Sequence, residues 1–445
     1  MAKTTTGKEL LANFFDEGTY QALFAVGEGA VTAAFGSANG APVYAISQNG
    51  AALAAKDVQN AVKVLHMAAK TGNPVVTFYN SNGAKLEEGL ACLTAAASLN
   101  AAVAQLSGVV PQIAVVTGVC GASNAMSAVS ADICIMAKDA ELFLTAPFTS
   151  AAAGDKLANA GSAEFAAKAG AVHFVADSAE AAAKKAAELV GLLPSNNLSS
   201  PSVFEPAEPA TTLNLAKYSA ANACESIADA GSCTELFSAF GKNAVTALAT
   251  VAGNVTGIVA LAGADKAICH NCASKVSRFV RLCDAFSIPV ITLVNTDGFV
   301  KSSGEDLAGG IREASRLAGT YADATTARVT VFTGKAIGSA YTAFANADIT
   351  VAVNGCVIAP IEPKAAVTVL YKDKLGAGDN IITETNKLAA EYEAEVCSAK
   401  AAVQAGVADI AADAADLRAA IVGTLDMLST KRAQRLPKKH GNMAL

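Results

Sequence analysis

Apolar positions in this chain follow two rhythms, and the rhythms alternate. In "VTAAFGSANGAPVYAIS" (Val31–Ser47) and "VTALATVAGNVTGIVALAG" (Val245–Gly263), small and β-branched residues run in short stretches broken by turn residues, as buried strands do. After each comes a segment, Lys56–Asn73 and Ser274–Ile288, whose apolar residues recur every three or four positions. That spacing lines one face of a helix. Short strands alternating with helices predict α/β domains. Beyond about Tyr371 the pattern turns helical: Asn386–Leu428 is rich in good helix formers and poor in breakers. The tail Thr430–Leu445 is basic and expected at the surface.

The alternation is written twice. "PVVTFYNSNG" (Pro74–Gly83) and "PVITLVNTDG" (Pro289–Gly298) share Pro-Val-x-Thr-x-x-Asn-x-x-Gly at an offset of 215 residues (289 − 74). Upstream, Asn39 aligns with Asn254 and Val43 with Ile258 at the same offset (254 − 39). Downstream, Ile113–Ala137 matches Val329–Val353 at 216 (329 − 113), pairing Thr117-Gly118 with Thr333-Gly334 and Ser123 with Ser339. Three blocks in one order mean an internal duplication. Pro-, Ser- and Asn-rich residues between the halves suggest domains at 1–197 and 213–445 joined by a linker at 198–212.

Composition narrows the classes. A net charge of −6 with no basic stripe gives nucleic acid no electrostatic foothold. Gly89–Ala131 and Ala244–Ala264 carry no charge, yet the first holds Asn100, Gln105, Pro111, Gln112 and Asn124, and Gly253-Asn254 reads as a turn splitting the second. Such interruptions disfavour a membrane span; buried strands and an oligomer interface explain the apolar runs better. The first residues contain no apolar run that would make a secretory signal, so ten Cys suggest reduced thiols in a cytoplasmic protein.

Candidate chemistry lies after each Thr-Gly. "TGVCGASNA" (Thr117–Ala125) and "TGKAIGSAY" (Thr333–Tyr341) run from a β-branched strand into a small-residue helix. The first N–H groups of such a helix have no partner within it, and small side chains let a ligand oxygen approach them. Fixed donors aimed at developing charge make an oxyanion hole. The same glycines and alanines would serve close packing equally well, and Ser123 and Ser339 would serve as helix caps. Other chemistry is weakly signalled. Cys269-His270-Asn271-Cys272 is a single Cys-x-x-Cys, and the four His fall in no metal-binding spacing. Neither a phosphate-binding loop nor a Gly-x-Ser-x-Gly elbow is present.

Taken together, "NSNGAKLEEG" (Asn80–Gly89), "GAVHFVAD" (Gly170–Asp177), "SRFVRLCDAFSIPVITLVNTDGF" (Ser277–Phe299), "GGIREASRL" (Gly309–Leu317) and "GKAIGSAYTAF" (Gly334–Phe344) carry a specific likeness. The chain resembles the carboxyltransferase subunit of biotin-dependent acyl-CoA carboxylases and, equally, the α subunit of sodium-pumping acyl-CoA decarboxylases, over almost its whole length. The resemblance implies two tandem crotonase-like domains with a helical C-terminal extension. It implies an acyl-CoA domain and a biotin domain that meet across a dimer, and commonly a trimer of dimers. Carboxyl would move between carboxybiotin and an acyl-CoA, with no side-chain acid or base. Main-chain amides of Ala122 and Ser123 would hold the thioester oxygen, and those of Ser339 and Ala340 the biotin ureido oxygen. Substrate-binding positions would be Gly83, Ala84, Gly118, Gly121, Gly298, Phe299, Gly338 and, lining the acyl pocket, Thr342. No metal is expected.

The resemblance further implies a separate biotin carrier protein, since no Ala-Met-Lys-Met site is present. A biotin carboxylase, or a membrane decarboxylase subunit that would put the chain beside a membrane, would be the other partner. The chain departs from the family's usual paired glycines at Ala122-Ser123 and at Ser339, and from its usual Pro at Asp297. Two other readings therefore stand beside the enzyme: a non-catalytic paralogue or CoA-binding scaffold that keeps the fold, and a crotonase-type hydratase.

Overall fold

The computed structural model describes residues 7–24, 29–155, 157, 159–375, 380–433 and 436–442. The chain divides into two units: residues Met1–Ser202 with Phe237–Phe240, and Val203–Leu236 with Gly241–Leu445.

In the first unit nine strands form: β1 (Gln21–Leu23), β2 (Val31–Ala38), β3 (Ala41–Gln48), β4 (Val75–Tyr79), β5 (Gln112–Val116), β6 (Val119–Gly121), β7 (Ile133–Ala137), β8 (Glu141–Phe143) and β9 (Phe174–Ala176). Seven make one sheet in the order β1-β2-β3-β4-β5-β7-β9, and β6 and β8 pair separately. The first two pairings are antiparallel and the rest parallel. Helix Ala55–Thr71 crosses from β3 to β4 and buries Val58, Ala61, Val64, Leu65 and Ala68, the face its spacing predicts. Helix Leu90–Leu106, charge-free, buries Leu99, Val103 and Leu106 against it in one core.

The second unit repeats the plan with β10 (Thr234–Leu236), β11 (Ala244–Val251), β12 (Asn254–Leu261), β13 (Val290–Val294), β14 (Arg328–Phe332), β15 (Lys335–Ile337), β16 (Ile349–Val353), β17 (Val357–Ala359) and β18 (Ile410–Ala412). Its sheet order is β10-β11-β12-β13-β14-β16-β18, with β15 and β17 apart. Two tandem α/β units of like topology are thus the architecture, as the duplication implied, and they fit the crotonase-like pair that the resemblance implied.

Each unit's hairpin is clamped by an aspartate. Asn39 and Gly40, at φ 49° and 77°, donate their N–H groups to the Asp16 carboxylate (3.0 and 2.8 Å). Ala252 and Gly253, at 49° and 80°, donate to Asp229 at the same distances. Two residues with positive φ suit the twist of a hairpin. The second turn is therefore Ala252-Gly253, not Gly253-Asn254, and Asn254 opens β12 opposite Val251. Here the repeat offset is 213 (229 − 16), so the expected pairings of Asn39 with Asn254 and Val43 with Ile258 are each out by two.

Two other expectations change. The C-terminal region is not helical throughout: β18 lies inside it, parallel to β16. Long-range bonds override the Ala-rich local preference there, for Thr350 donates its N–H and hydroxyl to Asp409 (2.8 and 2.7 Å), and Asn354 donates its N–H to Ala412 (2.9 Å). The basic tail is tied down at Lys431, whose Nζ donates to Thr326 O (2.9 Å) and Asp348 (2.7 Å); Gln434, Arg435 and Met443–Leu445 lie outside the described residues. Of the segment read as a linker, Val203 bridges to Asn254 and Arg418 donates to Ala207 O (2.8 Å), both within the second unit. Among the described residues no helix is long and apolar enough to cross a membrane.

Candidate active site

In the first unit, β5 passes through Thr117-Gly118 into β6, and a single residue, Ala122, separates β6 from helix Ser123–Ser130. β6 pairs with β8, Gly121 opposite Phe143, and Ala122 extends the ladder by donating its N–H to Phe143 O (3.0 Å). Ala122 then turns sharply, at φ 51° and ψ −123°. Among the described residues the N–H groups of Ser123 and Asn124, half-buried at this turn, meet no acceptor.

In the second unit the turn is the same. Gly338, at φ 55° and ψ −121°, donates its N–H to Ala359 O (2.8 Å) and hands the chain to helix Ser339–Phe344. Ser339 and Ala340 likewise meet no acceptor among the described residues. Some helices elsewhere in the chain begin with a side-chain cap, as at Ser162, Ser178 and Ser219. Ala122 and Gly338 have no side-chain oxygen to spend on the amides that follow.

One expected donor is therefore corrected. Ala122 corresponds to Gly338 (338 − 122 = 216), and both of these N–H groups are engaged in ladders. The open pair in the first unit is Ser123 and Asn124, matching Ser339 and Ala340 (340 − 124 = 216). The offset read from the sequence already placed Asn124 opposite Ala340. Ala122 also shows that a Cβ has not spoiled the turn, for its dihedrals match those of Gly338 within a few degrees.

The twin motif explains itself in the contacts behind each turn. A Cβ on Gly118 would stand 2.2 Å from Asn80 Oδ1, and one on Gly334 would stand 2.2 Å from Asn295 Oδ1. The Asn of each motif thus demands the Gly of each Thr-Gly. Ser81 Oγ accepts the N–H of Gly83 (3.0 Å), and Thr296 Oγ1 that of Gly298 (3.3 Å). Gly83 and Gly298 sit at φ 97° and 98°, a region that needs glycine. Ala84 bridges to Leu53 and Phe299 to Ile268, each pair within its own unit. Gly121 lies under the Phe143 ring. Thr342 is exposed, one turn into its helix, with Oγ1 donating to Gly338 O (3.4 Å).

Side chains against the first turn are neutral amides. Buried Gln48 accepts at Oε1 from Asn80 N–H (3.2 Å) and from Asn124 Nδ2 (3.4 Å), and Asn100 Nδ2 donates to Ser123 O (3.5 Å). Nothing in the sequence singled out Gln48. Burial pushes the neighbouring Cys120 thiol well above its ordinary range, so it stays neutral and makes a poor nucleophile. A histidine–carboxylate pair, not expected from spacing, forms in the second unit: His270 Nδ1 lies 3.0 Å from both Glu305 oxygens. His173 is a core residue whose Nδ1 accepts Cys134 N–H (3.0 Å). Among the described residues no cluster of three or more His, Cys, Asp or Glu could hold a metal.

The chain as a whole is similar to known proteins. The chain is 32% identical over 431 residues to the methylmalonyl-CoA carboxyltransferase 12S subunit of Propionibacterium freudenreichii subsp. shermanii, covering 92% of this chain and 82% of that one. It is 28% identical to the methylmalonyl-CoA decarboxylase α subunit of Veillonella parvula, covering 99% and 93%. A crystal structure of transcarboxylase 12S, a hexamer with methylmalonyl-CoA and methylmalonic acid bound, superposes with a TM-score of 0.92 at 29% identity, covering 99% of this chain and 92% of that one. Residues 7–443 match the carboxyl transferase domain, and the chain belongs to that family.

Proposed function

We propose that this protein is the carboxyltransferase subunit of a biotin-dependent system, moving a carboxyl group between carrier-borne biotin and a small acyl-CoA of the propionyl/methylmalonyl kind. The observation that carries the reading is the pair of matching turns, each presenting two N–H groups without a partner. In the first unit Ser123 and Asn124 would hold the thioester oxygen as the acyl-CoA becomes an enolate. In the second, Ser339 and Ala340 would hold the ureido oxygen of biotin. When bound, biotin supplies the transferable carboxyl group. Ser339 is exposed, which opens its amide to an approaching ring, while Ala340 is buried behind it. Because the donors belong to the main chain, they are neutral at every pH and need no reorganisation when charge develops. The preserved dihedrals at Ala122 favour an active enzyme over a non-catalytic paralogue.

A carrier protein bearing biotin and a carboxylase or membrane decarboxylase subunit are the partners this reading requires, and a homo-oligomer is its working form. The chain would act in the cytoplasm or beside a membrane complex.

Proline substitution tests the donors one at a time, since it deletes an N–H at the first helical position, where helices accept it. Proline also restricts the residue before it, so Ser339→Pro, behind flexible Gly338, is the cleaner variant; Ser123→Pro is made together with Ala122→Gly. Each is expected to slow carboxyl exchange between free biotin and methylmalonyl-CoA by about 10²–10³-fold, with unchanged circular dichroism. Exchange equal to that of the parent protein would remove these amides from the mechanism. Hydration of crotonyl-CoA by the parent protein would instead favour a hydratase.

A further inference from the structure

Cys269 and Cys272 open the helix His270–Ala285, and carboxyl transfer makes no use of them. Their sulfurs stand 2.9 Å apart, less than 1 Å beyond the ~2.05 Å of a disulfide bond. Cys269 caps the helix, its Sγ accepting the N–H of Cys272 (3.3 Å). It is half-buried, whereas Cys272 is fully buried. Two thiols without a third ligating side chain, among the described residues, fall short of a tetrahedral metal site.

We propose that Cys269–Cys272 is a thiol–disulfide exchange site that reacts with disulfides, either small molecules of the glutathione class or protein-borne. The Cys269 thiolate attacks one sulfur of RS–SR, that S–S bond breaks, and the first RS⁻ leaves and takes a proton from water. Cys272 gives up its proton to water and attacks Cys269 Sγ, expelling the second RS⁻, which is protonated in turn. Two protein thiols are oxidised and one disulfide is reduced to two thiols.

The surroundings divide the labour in that order. The hydrogen bond from Cys272, helped by the Cys272 and Asn271 N–H groups, pushes the Cys269 thiol down to about 6 against the opposing effects of burial and Glu305. The same bond and burial push Cys272 up. The more exposed sulfur is thus the attacking thiolate and the buried one resolves the mixed disulfide. Most other cysteines are buried, and burial raises the half-buried Cys233 to about 11, so exchange should be selective.

The pair also lies beside the candidate site. Ile268 donates its N–H to Gly298 O (2.8 Å) and accepts that of Val300 (3.0 Å), and the His270 N–H donates to Glu305. Closing the disulfide pulls on residues that position Gly298-Phe299. That consequence for carboxyl transfer rests on the function proposed above; the thiol chemistry does not.

The test uses the full chain exposed to glutathione disulfide, alkylated, and mapped by peptide mass. Cys269 and Cys272 are expected to escape alkylation as one internal disulfide that dithiothreitol reopens, and Cys272→Ser is expected to retain a single glutathione on Cys269. Alkylation of Cys269 should rise with a midpoint near pH 6 rather than ~8.5. Free thiols at both positions after oxidation, a disulfide to some other cysteine, or an ordinary midpoint would overturn the proposal. Carboxyl exchange is then compared for the oxidised and reduced protein. A fall of about tenfold or more is expected; an equal rate with the disulfide proven would overturn only the link to the site.

Discussion

At the scale of single residues, the proposed chemistry turns on one backbone conformation adopted by two different residues. Ala122 and Gly338 share φ near 50° with ψ near −120°, a region that costs a residue with a Cβ about 1–3 kcal/mol. Ala122→Gly should therefore stabilise the first unit by about 1 kcal/mol and leave exchange activity intact, as read by urea unfolding. Gly338→Ala is the reverse experiment under harsher terms. Its new Cβ would stand 2.9 Å from Pro360 O as well as carrying the positive φ. Lower stability and a loss of exchange are expected; an unaffected enzyme would mean the turn tolerates rotation and does not aim the amides.

At the scale of elements, Asp229 holds the second hairpin, accepting from Ala252, Gly253 and Arg418 Nη2 (2.7 Å) while only 3% exposed. Burial alone would raise its pKa, but the bonds from Gly253, Thr250, Ala252 and Arg418 outweigh it, and the net shift is downward. A carboxylate depressed in the folded state stabilises above its unfolded pKa of ~3.9, and that contribution fades as pH falls through the folded value. Asp229→Asn should cost about 1–3 kcal/mol at neutral pH. The gap in urea midpoint between parent and variant should close below about pH 4; a gap independent of pH would mean the charge is not what matters.

The same element separates what could be read in the sequence from what could not. Strand–helix alternation, the duplication and the two Thr-Gly turns were legible because they rest on local periodicity and repeated spelling. The clamp was written too, as Asp16-Glu17-Gly18-Thr19 and Asp229-Ala230-Gly231-Ser232, in which Thr19 and Ser232 each donate to the carbonyl of their Asp at 2.8 Å. An offset of 213 in place of 215 hid it. β18 and Gln48 were illegible for another reason: an Ala-rich tripeptide becomes a strand, and a glutamine becomes a brace, only through partners distant in sequence.

At the scale of the whole molecule, apolar side chains remain uncovered on the described surface of each unit. Leu90 and Leu93, three positions apart on helix Leu90–Leu106, are 79% and 68% exposed while the opposite face is packed. In the second unit Val369, Leu370, Ile381 and Ile382 are exposed beside the small core of Val367, Leu375, Leu388 and Ala389. Contiguous apolar surface of this kind marks contact with another protein, and the related 12S protein is a hexamer. A second copy of this chain is the expected occupant. Leu90→Glu with Leu93→Glu places two charges on the first patch without touching any donor amide. Light scattering should report a smaller particle than the parent, and the thiol reactivity of Cys269 should be unchanged because it belongs to the other unit. If both proteins have the same mass, this face lies outside the assembly. If the particle shrinks to the mass of one chain while carboxyl exchange persists undiminished, a lone chain suffices for catalysis.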